Sequence, residues 1–207
     1  MYWPMQKRRE IQKKDRYHHG DLRAQLVEAT RQLVEEKGVD HFSVSEACRV
    51  AGVSTAAPYR HFKDKDEMIL AVTAEGMERK YQRMFECVEK VPTGDLGRII
   101  ALGQAYIDFA QSEPGVFRLI FGSANDHKSH ESLMGMGQQT FGFVESEVAS
   151  YLGKGRIDDD VRQRAFLLWT FVHGLSFLLI DEKVTLSDMP LDMQSVLKEI
   201  AHRVMVD

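Results

Sequence analysis

SVSEACRVAGVSTAAPYRHFKDK, residues 43–65 of the 207-residue chain, is the stretch that decides the predicted fold. Ser43 and Glu46 have the spacing of a capping box, in which each side chain bonds the backbone N–H of the other residue. We therefore expect a helix to begin here and to run to about Val50. Gly52 is expected to end this helix, because glycine enters the left-handed conformation of a helix C-terminus without steric cost.

A second short helix is expected directly after this turn. Ser54 can cap it, and it is predicted to run from Thr55 to about His61, with Tyr59 and Arg60 near its end. Two short helices joined by a glycine-containing turn are typical of a helix-turn-helix, whose second helix reads DNA in the major groove. The open alternative is a surface helical hairpin of a larger all-α protein.

Charge is distributed unevenly along the chain. Residues 1–65 carry 13 Lys plus Arg against 9 Asp plus Glu, whereas residues 66–207 carry 14 against 22. A positive N-terminal end on an otherwise acidic protein suits selective contact with a polyanion such as DNA. Residues 1–18 are expected to form a basic arm, either a solvated tail or a segment that follows the phosphate backbone or enters a minor groove.

Composition and cysteine usage limit the class of protein. Hydrophobic residues at 43% and charged residues at 28% are ordinary for a globular chain. Cys48 and Cys87 form no CxxC motif, so we expect no disulfide framework, no metal site and no cofactor. Both thiols are expected to be buried in a reducing cytoplasm. The alternative is a redox-sensing pair, which needs both thiols exposed and close together.

No signal peptide or membrane span is expected. The first residues lack an apolar core, and the longest apolar run, residues 165–180, is shorter than the roughly 20 residues that cross a bilayer. A cytoplasmic protein without membrane contact is therefore expected.

The rest of the chain is predicted to be helical, with no alternating strand pattern. Helices are expected over residues 20 or 21–37, 65–88, 93 or 95–112, 116–121, 129 or 132–152, about 158–182 and 191–206. The predicted fold class is all-α, with a three-helix DNA-binding domain over residues 19–65. A larger helical domain for ligand binding and dimerisation is predicted over residues 66–207.

Residues 20–70 resemble the DNA-binding domain of the TetR family of bacterial transcriptional regulators. The likeness rests on S-V-S-E-A, A-G-V-S, Y-R-H-F and K-D-K-D-E-M in that order after the first helix. G-V-F-R-L-I-F-G at 115–122 and W-T-F-V-H-G at 169–174 are similar to the branch whose C-terminal domain is named for a Trp-His-Gly signature.

The resemblance implies a homodimeric repressor that reads a palindromic operator in double-stranded DNA and is released by a small apolar or amphipathic effector. It implies that the matching positions contact DNA, either at the start of the recognition helix or through phosphates: Ser43, Ser54, Thr55, Ala56, Tyr59, His61 and Lys65. Arg49 and Arg60 are further candidates, with a solvated or ion-paired surface role as the alternative.

Pro58 departs from the family pattern. Many members have Leu or Ile at this position, so we expect a distorted start to the recognition helix. The small side chains of Ala56 and Ala57 favour contact with thymine methyl groups over hydrogen-bonded readout of the bases.

The effector pocket is expected between the long helices of the second domain. Apolar and aromatic side chains at helical spacing are its candidate lining, with ordinary core packing as the alternative: Leu102, Tyr106, Phe109, Phe117, Phe121, Phe141, Trp169 and His173. His173 lies on an otherwise apolar helix, where it can bond a ligand or satisfy a backbone carbonyl.

The last two helices are expected to expose apolar faces that pair with their symmetry mates in a four-helix dimer interface. These faces are predicted to consist of Phe166, Leu167, Thr170, Leu178 and Leu179 on one helix and Val196, Leu197, Ile200 and Val204 on the other. Ligand binding is expected to move the helix over residues 65–88 and so to change the separation of the two recognition helices.

Two other functions stay open. The first is a DNA-binding protein whose second domain docks a protein partner and takes no small-molecule inducer. The second is an enzyme that uses His173 with Asp181 or Glu182. The enzyme is disfavoured, because no nucleophile, metal cluster or phosphate loop accompanies the histidine.

Overall fold

The computed structural model describes residues 22–122, 131–183 and 192–206, which form α-helices and two short 3₁₀ turns but no strand. The eight helices of these segments are α1 (Leu22–Lys37), α2 (Val44–Ala51), α3 (Lys65–Val88), α4 (Leu96–Ser112), α5 (Pro114–Phe121), α6 (Glu131–Tyr151), α7 (Asp159–Ile180) and α8 (Met193–Met205). The all-α prediction is confirmed. The basic arm predicted over residues 1–18 lies outside the described residues.

Local caps explain where the helices begin and end. The backbone N–H of Glu46 donates to the Ser43 hydroxyl at 3.2 Å, and the Ser43 N–H donates to the Glu46 carboxylate at 3.0 Å, which confirms the predicted capping box. Gly52 ends α2 in the left-handed conformation, with a φ of 69°. Aspartate side chains cap α3, α4, α7 and α8 through Asp64, Asp95, Asp158 and Asp192.

The second helix of the motif differs from the prediction. Residues 55–57 form turns and bends, and Pro58–Arg60 form one 3₁₀ turn in place of the α-helix expected from Thr55 to His61. Ala57 keeps helical backbone angles, but proline has no N–H to donate, so the α-helical hydrogen bond from residue 58 to the Ser54 carbonyl cannot form. The N–H groups of Ala57 and Arg60 donate three residues back instead, as in a 3₁₀ turn. The Pro58 side chain is buried.

α3 connects the two parts of the molecule. It contacts α1, which also packs against α2 of the helix-turn-helix, and it contacts α4, α5 and α6 of the second part. Met68 and Val72 are buried near its start, and Met84 and Val88 near its end. A displacement of α3 therefore reaches both domains. The domain boundary at residue 65 stays a prediction.

α7 is long and apolar enough to cross a membrane by length and composition alone. It contacts α4, α6 and α8, with Val161, Ala165, Leu168 and Val172 buried against the bundle. A core helix of a water-soluble bundle has the same length and composition, so these properties give little support for a membrane span.

Candidate functional site

The candidate DNA-binding residues surround the turn that follows α2. Tyr59 is 64% exposed, although large aromatic side chains are usually well covered. Hydroxyl and guanidinium groups on a protruding turn are suited to contact sugar and phosphate oxygens. The following candidates are all exposed: Ser43, Ser54, Thr55, Ala56, Tyr59, Arg60 and His61. Their contact with DNA stays a prediction.

Two of the candidate positions also have intramolecular roles. The Ser43 hydroxyl takes part in the capping box of α2. The ammonium group of Lys65 lies 4.2 Å from the centre of the Phe42 ring, a cation–π contact that holds this half-buried lysine at the start of α3. Both groups sit at helix N-termini, where backbone N–H groups and the helix dipole favour phosphate.

A cavity of about 400 Å³ lies among α3, α4, α5, α6, α7 and α8. This volume is within the range of sites for small organic molecules. Its wall includes five of the residues predicted from the sequence, Leu102, Tyr106, Phe121, Phe141 and Trp169. Other parts of the wall come from Met77, Lys80, Met84, Ile99, Gly103, Ile120, Gly137, Thr140, Val144, Phe166, Leu168, Val172, Leu197, Ile200 and Ala201.

The three remaining pocket candidates lie behind this wall. Phe109 and Phe117 are fully buried and contact each other at a ring-centre distance of 6.5 Å. His173 packs against the Phe121 ring at 4.8 Å between ring centres. These side chains support the rings that face the cavity, and a direct role in ligand binding stays a prediction for them.

A hydrogen-bonded chain joins Trp169, Tyr106 and His173. The Trp169 indole N–H donates to the Tyr106 oxygen at 3.3 Å, and that oxygen lies 2.9 Å from Nδ1 of His173. Since an indole N–H can only donate, the Tyr106 hydroxyl is free to donate to the imidazole. Burial lowers the pKa of His173, with a further contribution from the positive charge of Lys80, which favours the neutral ring as acceptor. Asp181, one of the two carboxylates named for the disfavoured enzyme alternative, pairs with Arg118 at 2.6 Å.

Lys80 is a cavity residue that the sequence analysis missed. It is only 4% exposed, and its ammonium group lies 4.7 Å from the ring centre of Phe121 and 5.5 Å from that of Tyr106. Burial lowers its pKa to about 8. The sequence does contain an indication of this buried lysine. Lys80 falls between Met77 and Met84 on the apolar stripe of α3, where a charged residue is unusual.

α5 joins the cavity wall to the helix-turn-helix domain. At its N-terminus the Glu35 carboxylate of α1 accepts the backbone N–H of Gly115 at 2.7 Å and of Val116 at 2.9 Å. A Cβ on Gly115 would lie 2.8 Å from the Val34 carbonyl oxygen, so only glycine permits this approach. At the other end of α5, Phe121 lines the cavity. Glu35 was not among the residues predicted from the sequence.

The predicted dimer faces are largely exposed on α7 and half-buried on α8. Phe166, Leu167 and Leu178 are 52%, 46% and 44% exposed, which is unusual for large apolar side chains grouped on one helix. The prediction for Leu197 was wrong. This side chain is 2% exposed and lies against Gly103, because its face of α8 points into the bundle.

The cysteines do not meet the requirement of a redox pair. Cys48 of α2 is 1% exposed, and burial raises the pKa of its thiol. Cys87 of α3 is half-buried. A buried thiol with a raised pKa is a poor nucleophile, so the interpretation of Cys48 as a small core side chain is favoured.

Comparisons with known proteins match both parts of the chain. Residues 26–72 match the family model described as bacterial regulatory proteins, tetR family, and residues 99–204 match that of the tetracyclin repressor-like C-terminal domain. The chain is 31% identical over 99 residues to the nucleoid occlusion factor SlmA of Mannheimia succiniciproducens, which covers 48% of this chain and 45% of that protein. It is also 31% identical over 99 residues to an uncharacterized HTH-type transcriptional regulator of Haemophilus influenzae, covering 47% of each.

The chain spans about half the length of these curated relatives. A solved structure of a protein with unknown function from Rhodococcus sp. RHA1 is similar over nearly the whole chain, with a TM-score of 0.78 and 25% identity over 93% of this chain and 97% of that one. The Trp-His-Gly branch stays a prediction. Both family models match this chain, and the order of its helices and the capped motif that ends at Gly52 agree with them. The chain therefore belongs to the TetR family of bacterial regulatory proteins.

Proposed function

We propose that this protein is a ligand-responsive transcriptional repressor that works in the cytoplasm and binds a palindromic operator as a homodimer. A small apolar or amphipathic molecule that enters the cavity releases it from DNA. Members of this family are DNA-binding regulators and not enzymes. The single observation that carries the ligand-responsive part is the apolar cavity of about 400 Å³ in the second domain.

The proposed interaction with DNA uses the exposed turn after α2. The exposed side chains of Tyr59 and Arg60 contact the backbone, and the small side chains of Thr55 and Ala56 allow a close approach to the bases. Two copies related by a two-fold axis engage half-sites about 34 Å apart, or a multiple of that distance. The exposed apolar face of α7, with Leu167 and Leu178, supports a dimer through the last two helices.

Two helices are proposed to carry the signal from cavity to DNA. α3 lines the cavity with Met77, Lys80 and Met84 and begins at the helix-turn-helix. α5 lines the cavity with Phe121 and is bonded through its N-terminus to Glu35 of α1. A ligand that displaces Phe121 therefore pushes directly on the DNA-binding domain. This differential contact between two states is what release requires.

The alternative is a DNA-binding protein regulated by a protein partner, with no small-molecule inducer. A dense core without a cavity would favour this alternative, and the open space among α3 to α8 favours the ligand. An extended apolar α7 face is compatible with both functions, since a second copy or a partner protein can cover it.

The proposal is tested with DNA from upstream of the protein's own gene. Fluorescence anisotropy is expected to show specific binding that Tyr59→Ala weakens. Small molecules extracted from the purified protein with organic solvent are identified by mass spectrometry and added back to the complex, where they are expected to release the DNA. A molecule that binds tightly and leaves the affinity for DNA unchanged would refute ligand-responsive release.

A further inference from the structure

The cavity wall is apolar except for a few polar groups, and most of these already have partners. Thr140 donates its hydroxyl to the Met136 carbonyl at 2.9 Å. Tyr106 and Trp169 are bonded to each other at 3.3 Å. No residue on the described part of the wall is Asp or Glu. The ammonium group of Lys80 is therefore the polar group of this wall that is still able to donate hydrogen bonds to a ligand.

Lys80 is buried with only partial compensation of its charge. Within the described residues, no carboxylate lies within ion-pair distance of it, and no oxygen accepts a hydrogen bond from it. The faces of the Phe121 and Tyr106 rings attract the cation but accept none of its three N–H bonds. An ammonium taken from water without an anionic partner is destabilising, and a ligand oxyanion that reaches it removes this penalty.

We propose that the cavity binds an organic carboxylate, with its anionic head on the Lys80 ammonium and its apolar body against the remaining wall. This inference rests on the proposed function, since it names the chemical class of the effector for the same cavity. The body contacts side chains such as Met84, Ile99 and Val144. A carboxylate accepts two or three charge-assisted hydrogen bonds, so the head is held more strongly than a neutral polar group in the same place.

The position of the head also explains how such a ligand acts. Lys80 contacts Phe121, the last residue of α5, so an anion at Lys80 touches the helix whose other end is bonded to Glu35. The anion draws the Lys80 ammonium away from the faces of the Phe121 and Tyr106 rings, and Phe121 shifts in response. The ligand therefore has different contacts in the two states of α5.

The expected selectivity follows from the strength of a charged hydrogen bond. A carboxylate is expected to bind about tenfold to a hundredfold more tightly than a neutral molecule of the same shape, and a cationic analogue is expected not to bind. Replacing Lys80 by methionine keeps the length and apolar character of the side chain and removes the charge. This variant is expected to abolish the preference for the anion.

The test measures binding by isothermal titration calorimetry for straight-chain carboxylates from hexanoate to myristate and for 2-naphthoate. Each is compared with its alcohol or amide of equal length. The full chain is used as wild type, Lys80→Met and Lys90→Met, since Lys90 is exposed and its replacement removes the same charge from the surface. The expected result is anion preference in wild type and Lys90→Met, and equal binding of anion and neutral analogue in Lys80→Met.

Three results would overturn the proposal: no carboxylate binds, the neutral analogue binds as tightly as the anion to wild type, or Lys80→Met keeps the preference. The wild-type comparison alone decides the matter if Lys80→Met fails to fold. Operator release is measured in parallel. Release by a neutral molecule at a concentration at which the carboxylate of the same shape causes none supports the proposed function and refutes the carboxylate. Lys80-dependent carboxylate binding without release supports the carboxylate and refutes ligand-responsive release.

Discussion

Replacing Lys80 by methionine is expected to stabilise the protein at neutral pH, and this gain is expected to shrink as the pH rises. Burial lowers the pKa of Lys80 from its ordinary value of 10.5 to about 8. Between these two values the unfolded chain binds more protons than the folded protein, so the stability of the wild type rises with pH across this window. Below about pH 8 both states are protonated, and the destabilisation is fully present.

The expected size follows from the two pKa values. Their difference corresponds to about 3 kcal/mol. The stability of the wild type is therefore expected to rise by about 3 kcal/mol across this window, since the rise depends only on the pKa difference between the unfolded and folded states. In the folded protein the titratable neighbours keep their charge in this window, because burial lowers the pKa of His173 and raises that of Tyr106. Their ionisation in the unfolded chain is common to the wild type and Lys80→Met, so the gap between the two proteins reports on Lys80. The methionine side chain of the Lys80→Met variant has no proton to lose, so the stability of that variant lacks this rise.

Urea denaturation at one protein concentration measures the effect at pH 7, 8, 9 and 10 for the wild type, Lys80→Met and Lys90→Met. A fixed concentration is needed because the stability of a dimer depends on it. The gap between wild type and Lys80→Met is expected to be largest at pH 7 and to narrow steadily above pH 8, whereas Lys90→Met shows a constant small difference. A gap that does not change with pH, or that Lys90→Met reproduces, would refute the argument.

Two further predictions concern the contacts between elements, and urea denaturation measures the stability change in both. Glu35→Gln is expected to lower the free energy of unfolding by about 1–2 kcal/mol, because the N-terminus of α5 at Gly115 loses an ionised acceptor. Glu36→Gln, at the exposed neighbouring position, should change it by less than about 0.5 kcal/mol, and equal effects would contradict the α5 contact. Arg98→Met is expected to lower it by about 3 kcal/mol, since Glu147, now 2.6 Å from the guanidinium, stays buried without a partner. An unchanged stability would contradict this role of the ion pair.

The sequence predicts the helices well where their limits are set locally. α3 begins and ends at the predicted residues, because Asp64 caps it and the apolar stripe continues to Val88. The capping box at Ser43 and the left-handed Gly52 were predicted for the same reason. The prediction of an α-helix from Thr55 to His61 was wrong, because the chain forms a 3₁₀ turn at Pro58–Arg60. The proline was recognised as a departure from the pattern, but its effect on the neighbouring turns depends on how the buried ring packs.

The candidate site could be predicted only in part, because apolar periodicity marks a helix face without showing whether space remains in front of it. Tyr106 and Phe117 follow the same kind of pattern, yet the first lines the cavity and the second lies in the core. The contact between Glu35 and Gly115 joins residues 80 positions apart, and no local pattern encodes it. Lys80 has no partner carboxylate among the described residues, and this too can be known only from the folded structure, in which six helices surround the cavity.

Salt dependence of operator binding tests the central claim, that the exposed turn after α2 binds DNA in a dimer. The affinity for DNA upstream of the gene is measured from low to physiological salt for the wild type, Arg60→Ala and Arg156→Ala. Both arginines are exposed, but Arg156 lies between α6 and α7, far along the chain from the motif.

If Arg60 contacts a phosphate in each of two protomers, Arg60→Ala should weaken binding and reduce the slope of log affinity against log salt by about 2, whereas Arg156→Ala should leave the slope unchanged. Equal slopes for all three proteins, or equal affinity for unrelated DNA, would contradict operator binding through this turn.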